Sequence, residues 1–256
     1  MIHSVFQMVD AYVGGTFFPS SDWNDFIVRT HKEIAIDICC RLKSNISYNL
    51  NYFKPYSKGL VMYNNDGGLM SSNYSWTKAY IYALNFEQAS SLIMVELYSY
   101  LVTRRTLLMH SSLIDYQGNG IMFLGPSGIG KTTQAELWNQ FAGADILNGD
   151  MVFVRENPDG FYGYGSPWHG SSPYCMNAKV KLKALIVLEQ ASENSIRRLS
   201  GFDVLQGIMD QVFLPHWYPE GMTPCLDTLN DLLAQIPVYH LACRPDEDAV
   251  QLLKNE

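Results

Sequence analysis

Eight consecutive residues, Gly125-Pro126-Ser127-Gly128-Ile129-Gly130-Lys131-Thr132, have the types and spacing of a phosphate-binding loop, G-x-x-x-x-G-K-[ST]. Each fixed position answers a physical need. Glycines let successive backbone N–H groups turn inward and form an anion-binding nest. A helix starting near Lys131 adds its positive end. Lys131 brings a charge to the β- and γ-phosphates, and Thr132 brings a hydroxyl to Mg²⁺. Gly125, Pro126, Ser127, Gly128, Ile129, Gly130, Lys131, Thr132 and Thr133 are therefore the expected nucleotide-binding residues, with a nucleoside triphosphate and Mg²⁺ as ligands.

Mg²⁺ usually takes a carboxylate besides the loop hydroxyl. Asp150 follows Lys131 by nineteen residues, room for only one helix and one strand, so it can return beside the loop. Asp145 is the weaker candidate, because it falls at the helix-to-strand junction. His110 lies in a strand-like run before the loop. Strand alternation puts His110 and Ser112 on one face and Ser111 on the other. A lone strand histidine is most often structural; a catalytic role would make it a base.

These residues need a scaffold. Residues 107–116 read as a strand, the Gln117-Gly118-Asn119-Gly120 cluster as a tight hairpin turn, and residues 121–124 as the strand feeding the loop. A helix over 131–141 ends at Gly143. Residues 146–155 read as mostly strand, followed by a turn at 157–160 and a returning strand. Residues 183–188 read as a short buried strand, 238–242 as a strand, and 202–211, 226–235 and 246–254 as helices. The segment 162–172, polar and aromatic, could cover the phosphates. Arg197 or Arg198 could reach a transferring phosphoryl group, or be solvated charges. Earlier in the chain, residues 75–84 read as a strand with Trp76, Tyr80 and Tyr82 on one face. Asn85 caps a following helix, with Gln88 at the capping-box position and Phe86, Ala89, Ile93, Leu97 and Leu101 as its apolar stripe.

The composition sets bounds. The chain has 256 residues, 47% apolar and 17% charged, which excludes a disordered or fibrous chain. Net charge is 18 − 25 = −7, so no nucleic-acid partner is expected. Basic and acidic side chains balance through Arg104, and the whole deficit falls after it. That change of texture divides the chain into a region 1–105 and a nucleotide-binding region 106–256. The best apolar stretch, 92–109, is broken by Glu96, Arg104 and Arg105, so no membrane span is expected, and the first residues do not read as a secretory signal. Five cysteines without metal-type spacing suggest reduced thiols in a cytoplasm. A homo-oligomer is compatible with all of this.

The His110-Ser111-Ser112 strand, the loop 125–132 with Thr133, and the aspartate soon after resemble the HPr serine kinase/phosphorylase family. The resemblance is nearer to HPr-kinase-related proteins encoded beside modified peptides, and covers about residues 105–256. Residues 166–170 also look like a Pro-Trp-x-Gly segment of that branch. It implies an α/β fold with mixed sheets, like the nucleotide fold of the phosphoenolpyruvate carboxykinases, preceded by a smaller α+β region. It implies an ATP-dependent kinase acting on a Ser/Thr hydroxyl of a peptide or protein substrate, with His110 and Asp150 as catalytic residues and Thr132 and Asp150 at the metal. The family carries two adjacent aspartates where this chain has Gly149-Asp150. No HPr-docking signature is recognisable, so HPr is not the expected acceptor, and a carboxykinase's further metal ligands are missing. The alternative is a non-catalytic ATP-binding module that holds a precursor peptide or partner. A carboxylate on Mg²⁺ is a weakened base, whereas an imidazole with its ordinary pKa of about 6.5 suits proton transfer near neutrality. Asp150 is thus expected at the metal, and His110 as the base or its orienting partner.

Overall fold

The computed structural model describes residues 2–17, 20–42, 59–63 and 68–256. The chain falls into two compact units, Met1–Arg104 and Arg105–Glu256. Both are mixed α/β.

In the first unit, β1 (Ile2–Met8), β2 (Ala11–Phe17), β3 (Ile36–Leu42), β4 (Gly59–Tyr63), β5 (Leu69–Asn73) and β6 (Lys78–Ala83) form a sheet ordered β1-β2-β3-β6-β5-β4 among the described residues. The central β2–β3 and β3–β6 pairs are parallel and the rest antiparallel. The sheet packs against α1 (Phe86–Val102). Asn85 caps that helix by accepting from the Gln88 N–H at 2.9 Å, while the Gln88 side chain accepts from the Leu84 N–H at 2.9 Å. Ala89, Ile93, Leu97 and Leu101 are fully buried, as the stripe requires. Tyr80 and Tyr82 share one face of β6, as expected, and Trp76 does not join them. Ala79, Ile81 and Ala83 point inward and Tyr80 outward, while Trp76 is buried in the turn before the strand.

In the second unit, β7 (Thr106–Tyr116) turns into β8 (Asn119–Leu124). The turn residues are Gln117 and Gly118, both at positive φ, and not the Asn-Gly pair. Gly120 is bare for another reason: a Cβ there would lie 2.8 Å from a Val180 methyl of the neighbouring strand. After the loop come α2 (Lys131–Ala142), β9 (Asp145–Asn148), β10 (Met151–Asn157), β11 (Gly160–Tyr164), β12 (Lys179–Gln190), β13 (Ser195–Arg198), α3 (Phe202–Ile208), α4 (Pro219–Gln235), β14 (Val238–Cys243) and α5 (Glu247–Lys254). The helix expected from Leu226 begins at Pro219, with Pro224 inside it. The strand order is β11-β10-β7-β8-β12-β14-β13, with β9 beside β7. β12 runs parallel to β8 and β14, and β11 pairs with β12 as well as β10, closing a ring of strands. α2 and α5 cover one face over a core that includes Phe123, Trp138, Ile186, Leu241 and Val250. Trp138 meets Tyr116 edge-to-face at 5.2 Å. The stretch expected as one strand over 146–155 is two, broken at Gly149-Asp150, for a reason that belongs to the site. Among the described residues, no helix is long and apolar enough to cross a membrane.

Candidate active site

All the residues gathered here belong to the unit Arg105–Glu256. The loop leaves the end of β8 and enters α2 at Lys131. Gly125, Gly128 and Gly130 have φ of 141°, 80° and 112°, conformations that side chains with a Cβ resist, which is why the turn needs glycine. Gly130 is the left-handed residue before α2, so no side chain shields the helix N-terminus. The Ser112 hydroxyl, buried beneath the loop, donates to the Lys131 carbonyl at 2.9 Å. Gln190 donates from the next strand to the Gly128 and Ile129 carbonyls at 3.4 and 3.3 Å.

Lys131 is 7% exposed and folds back, its ammonium donating to the Gly125 and Pro126 carbonyls at 2.9 and 3.2 Å. Burial lowers its pKa, and the Asp150 carboxylate opposes that shift.

His110 pairs across the sheet with Met151. Its Nε2 lies 2.9 Å from Asp150 Oδ1, both side chains about one-third exposed or less. Asp150 sits where the chain bends between β9 and β10. That bend is made by Asn148, which is fully buried. Asn148 Oδ1 accepts from the N–H groups of Asp150 and Met151, both at 2.8 Å. Its Nδ2 donates to the Ser166 and Trp168 carbonyls at 2.8 and 3.3 Å. Ser166 closes the circuit by donating to the Met151 carbonyl at 2.6 Å. One amide therefore sets both the Asp150 turn and the loop that follows β11. Sequence reasoning missed Asn148, because its partners lie eighteen and twenty residues away.

That loop returns over the aspartate. Gly170, at φ 61°, approaches so closely that a Cβ would lie 2.9 Å from Asp150 Cγ. The Ser172 hydroxyl donates to the His169 carbonyl at 2.9 Å, and the His169 ring bonds the Ser172 carbonyl. Ser172 also fills the space beside Gly149: a Cβ at Gly149 would lie 1.9 Å from its oxygen. The carboxylate absent from position 149 thus has no room in this chain. The Thr132 hydroxyl donates to the Gly149 carbonyl at 3.3 Å.

His110, Ser127, Lys131, Thr132, Asp150 and Ser172 line a common cavity of about 250 Å³, with His169 and Ser171 on its rim segment. Thr132 and Asp150 offer hard oxygen donors on that cavity, the type Mg²⁺ takes alongside phosphate oxygens and water. No group of three or more His, Cys, Asp or Glu among the described residues could hold a metal by itself. Arg197 and Arg198 are not in the lining; they lie on β13, which β12 and β14 separate from the loop strand β8, and Arg197 pairs with Asp203 of α3 at 3.1 Å. Asp145 is exposed at the start of β9, opposite Asp115, at the other end of α2.

Neither a protein-family model nor a curated protein matches the sequence. Among solved structures, the HPr(Ser) kinase/phosphatase from Coxiella burnetii overlaps 58% of this chain and 88% of its own, at 11% identity and a TM-score of 0.35. Such an overlap is too shallow to carry function, and the site stands on its own geometry.

Proposed function

We propose that the chain is an ATP-dependent, Mg²⁺-assisted phosphotransferase acting on a Ser/Thr hydroxyl of a peptide or protein. The observation that supports this most is the His110–Asp150 pair, 2.9 Å apart, on the same cavity as Lys131 and Thr132 of the phosphate loop. Phosphoryl transfer needs little more from a protein than positioning and charge. The loop N–H groups and Lys131 would hold the phosphates, and Thr132 and Asp150 would hold Mg²⁺, which supplies charge neutralisation when bound. His110, oriented by one oxygen of Asp150, would take the proton of the acceptor hydroxyl. The unit Met1–Arg104 is the proposed determinant of the acceptor.

A second reading, a non-catalytic ATP-binding module, draws on the crowding of Gly149 by Ser172, which leaves one carboxylate where the resembling kinases use two. Incubation with γ-labelled ATP, Mg²⁺ and an arrayed set of Ser/Thr peptides tests the first reading. Label on peptide supports it, and its loss in His110→Ala ties it to the site. ATP binding without transfer to any peptide supports the second. The double substitution Gly149→Asp/Ser172→Gly then asks whether room and a second carboxylate together create transfer.

A further inference from the structure

β12 opens with a lysine at every second position, Lys179, Lys181 and Lys183, in a unit whose charge is otherwise strongly acidic. We infer that the face these lysines share with Arg155 is a docking surface for an acidic segment of the peptide or protein acceptor. The inference rests on the phosphotransferase reading above and adds the chemistry by which the acceptor is chosen.

Strand register carries this face back to His110. Val180 and Leu182 are buried, so alternation turns Lys179 and Lys181 outward, and Lys183 is exposed as well. Residues directly opposed in an antiparallel pair share a face. Lys181 opposes Tyr162, which opposes Arg155; Lys179 opposes Tyr164, which opposes Phe153. Across the other edge of β10, Arg155 opposes Thr106, Phe153 opposes Leu108 and Met151 opposes His110. The lysines, Arg155 and His110 therefore stand on one continuous outer face of the strands.

Aromatic rings order the charges. Lys179 Nζ lies 5.6 Å from the Tyr162 ring centroid and 5.2 Å from that of Tyr164, and Lys181 Nζ lies 6.0 Å from Tyr162. Asp159 accepts from the Tyr162 hydroxyl at 2.7 Å and from Lys181 Nζ at 3.1 Å. With Asp159 counted, this face carries 4 − 1 = +3, while the remaining side chains of Arg105–Glu256 carry 6 − 16 = −10. Such segregation draws an acidic segment here and repels it elsewhere on the unit. A nucleic acid, charged at every nucleotide, would run beyond these few cations into the acidic surround.

Reach sets where the acidic residues must stand. Strands about 4.8 Å apart, with about 3.3 Å per residue along them, put Lys179 and Lys181 roughly 15–20 Å from His110 along the face. An extended chain advances about 3.3–3.6 Å per residue. The matching Asp or Glu is thus about four to six residues from the accepting Ser or Thr.

The test uses the full-length protein and fluorescence anisotropy without nucleotide. The probes are labelled Ser peptides with either Glu or Gln at the fourth to sixth positions from the Ser, and a single-stranded oligonucleotide of equal length. The wild type should bind the Glu peptide at least tenfold more tightly than the Gln peptide, with an advantage that shrinks as salt is raised. Lys179→Glu/Lys183→Glu changes two exposed positions that Asp159 does not bond. It should lose that advantage and instead prefer a peptide with Lys at the same positions, a reversal that misfolding cannot produce. Equal affinity of the wild type for the Glu and Gln peptides overturns the docking surface, and this comparison needs no variant to fold. An oligonucleotide bound as tightly as the Glu peptide overturns the choice of partner. Adding γ-labelled ATP and Mg²⁺ separates the inference from the reading beneath it. Label passing equally to Glu and Gln peptides keeps the phosphotransferase and overturns the docking surface. Glu-selective binding with no transfer keeps the docking surface and counts against the phosphotransferase.

Discussion

Replacing Gly149 by alanine should destabilise the second unit by a calculable amount. Gly149 has an ordinary φ, so the effect is one of space. The new methyl would sit 1.9 Å from Ser172 Oγ and 2.6 Å from Ser172 Cβ, far inside contact distance. Ser172 must move by more than 1 Å (roughly, since such contacts settle near 3.5 Å). It is held by its hydroxyl and N–H, which donate to the His169 carbonyl at 2.9 and 3.1 Å, and by the His169 ring. Overpacking costs about 1–3 kcal/mol, and one or two lost hydrogen bonds add about 0.5–1.5 kcal/mol each. The expected total is about 1.5–6 kcal/mol, or a fall in melting temperature of at least roughly 3 °C and up to about 20 °C. Scanning calorimetry of Gly149→Ala, Ser172→Gly and the double variant measures it. The double variant should recover most of the loss, since removing the Ser172 side chain empties the contested space. Gly149→Ala melting within a degree of wild type, or a double variant no better than the single one, would refute the steric argument.

Lys131→Ala should weaken Mg²⁺–ATP binding at least tenfold in calorimetry while leaving the fold intact, because its own bonds are only to loop carbonyls. Asp150→Asn should weaken the Mg²⁺-dependent part of ATP binding, whereas His110→Ala should leave binding within about twofold; equal losses would contradict the division of roles. Asn148→Ala should lower stability by about 3 kcal/mol, since it removes the acceptor of the Asp150 and Met151 N–H groups and the amide donor to the Ser166 carbonyl, and should reduce ATP affinity through Asp150. In the first unit, burial raises the Glu96 carboxyl to about 8, with neither oxygen hydrogen-bonded among the described residues. The Ser72 hydroxyl, which donates instead to main-chain carbonyls, offsets this only weakly. A folded pKa above the unfolded one contributes stability at low pH that is lost between about pH 4.5 and 8. Glu96→Gln should flatten that dependence in denaturation at pH 5 and 8; an unchanged slope would show that Glu96 is solvated.

The legible parts of the site were those written in adjacent residues. The loop, its strand and its helix are continuous in sequence, and the Asn85 cap needs only Gln88 three residues on. Asp150 was found by its distance along the chain, but the bend that presents it was not, because Asn148 makes it with partners at 166 and 168. Gly149 read as a deficit; only the fold brings Ser172 into its space. The Asn-Gly hairpin misled for the same reason, since Gly120 is required by β12 and not by the turn. Arg197 and Arg198 were attractive as charges, yet strand order puts β13 at the sheet edge. The mixed α/β class survived all these errors because it depends on many weak signals that agree.

The most direct test of the central proposal is transfer of label from γ-labelled ATP to a Ser/Thr peptide, measured as a pH profile for wild type and His110→Ala with Mg²⁺ present. A histidine base gives a rate that rises as the imidazole loses its proton, and His110→Ala should abolish transfer while still binding ATP. Transfer by His110→Ala at the wild-type rate and with the wild-type profile would contradict it.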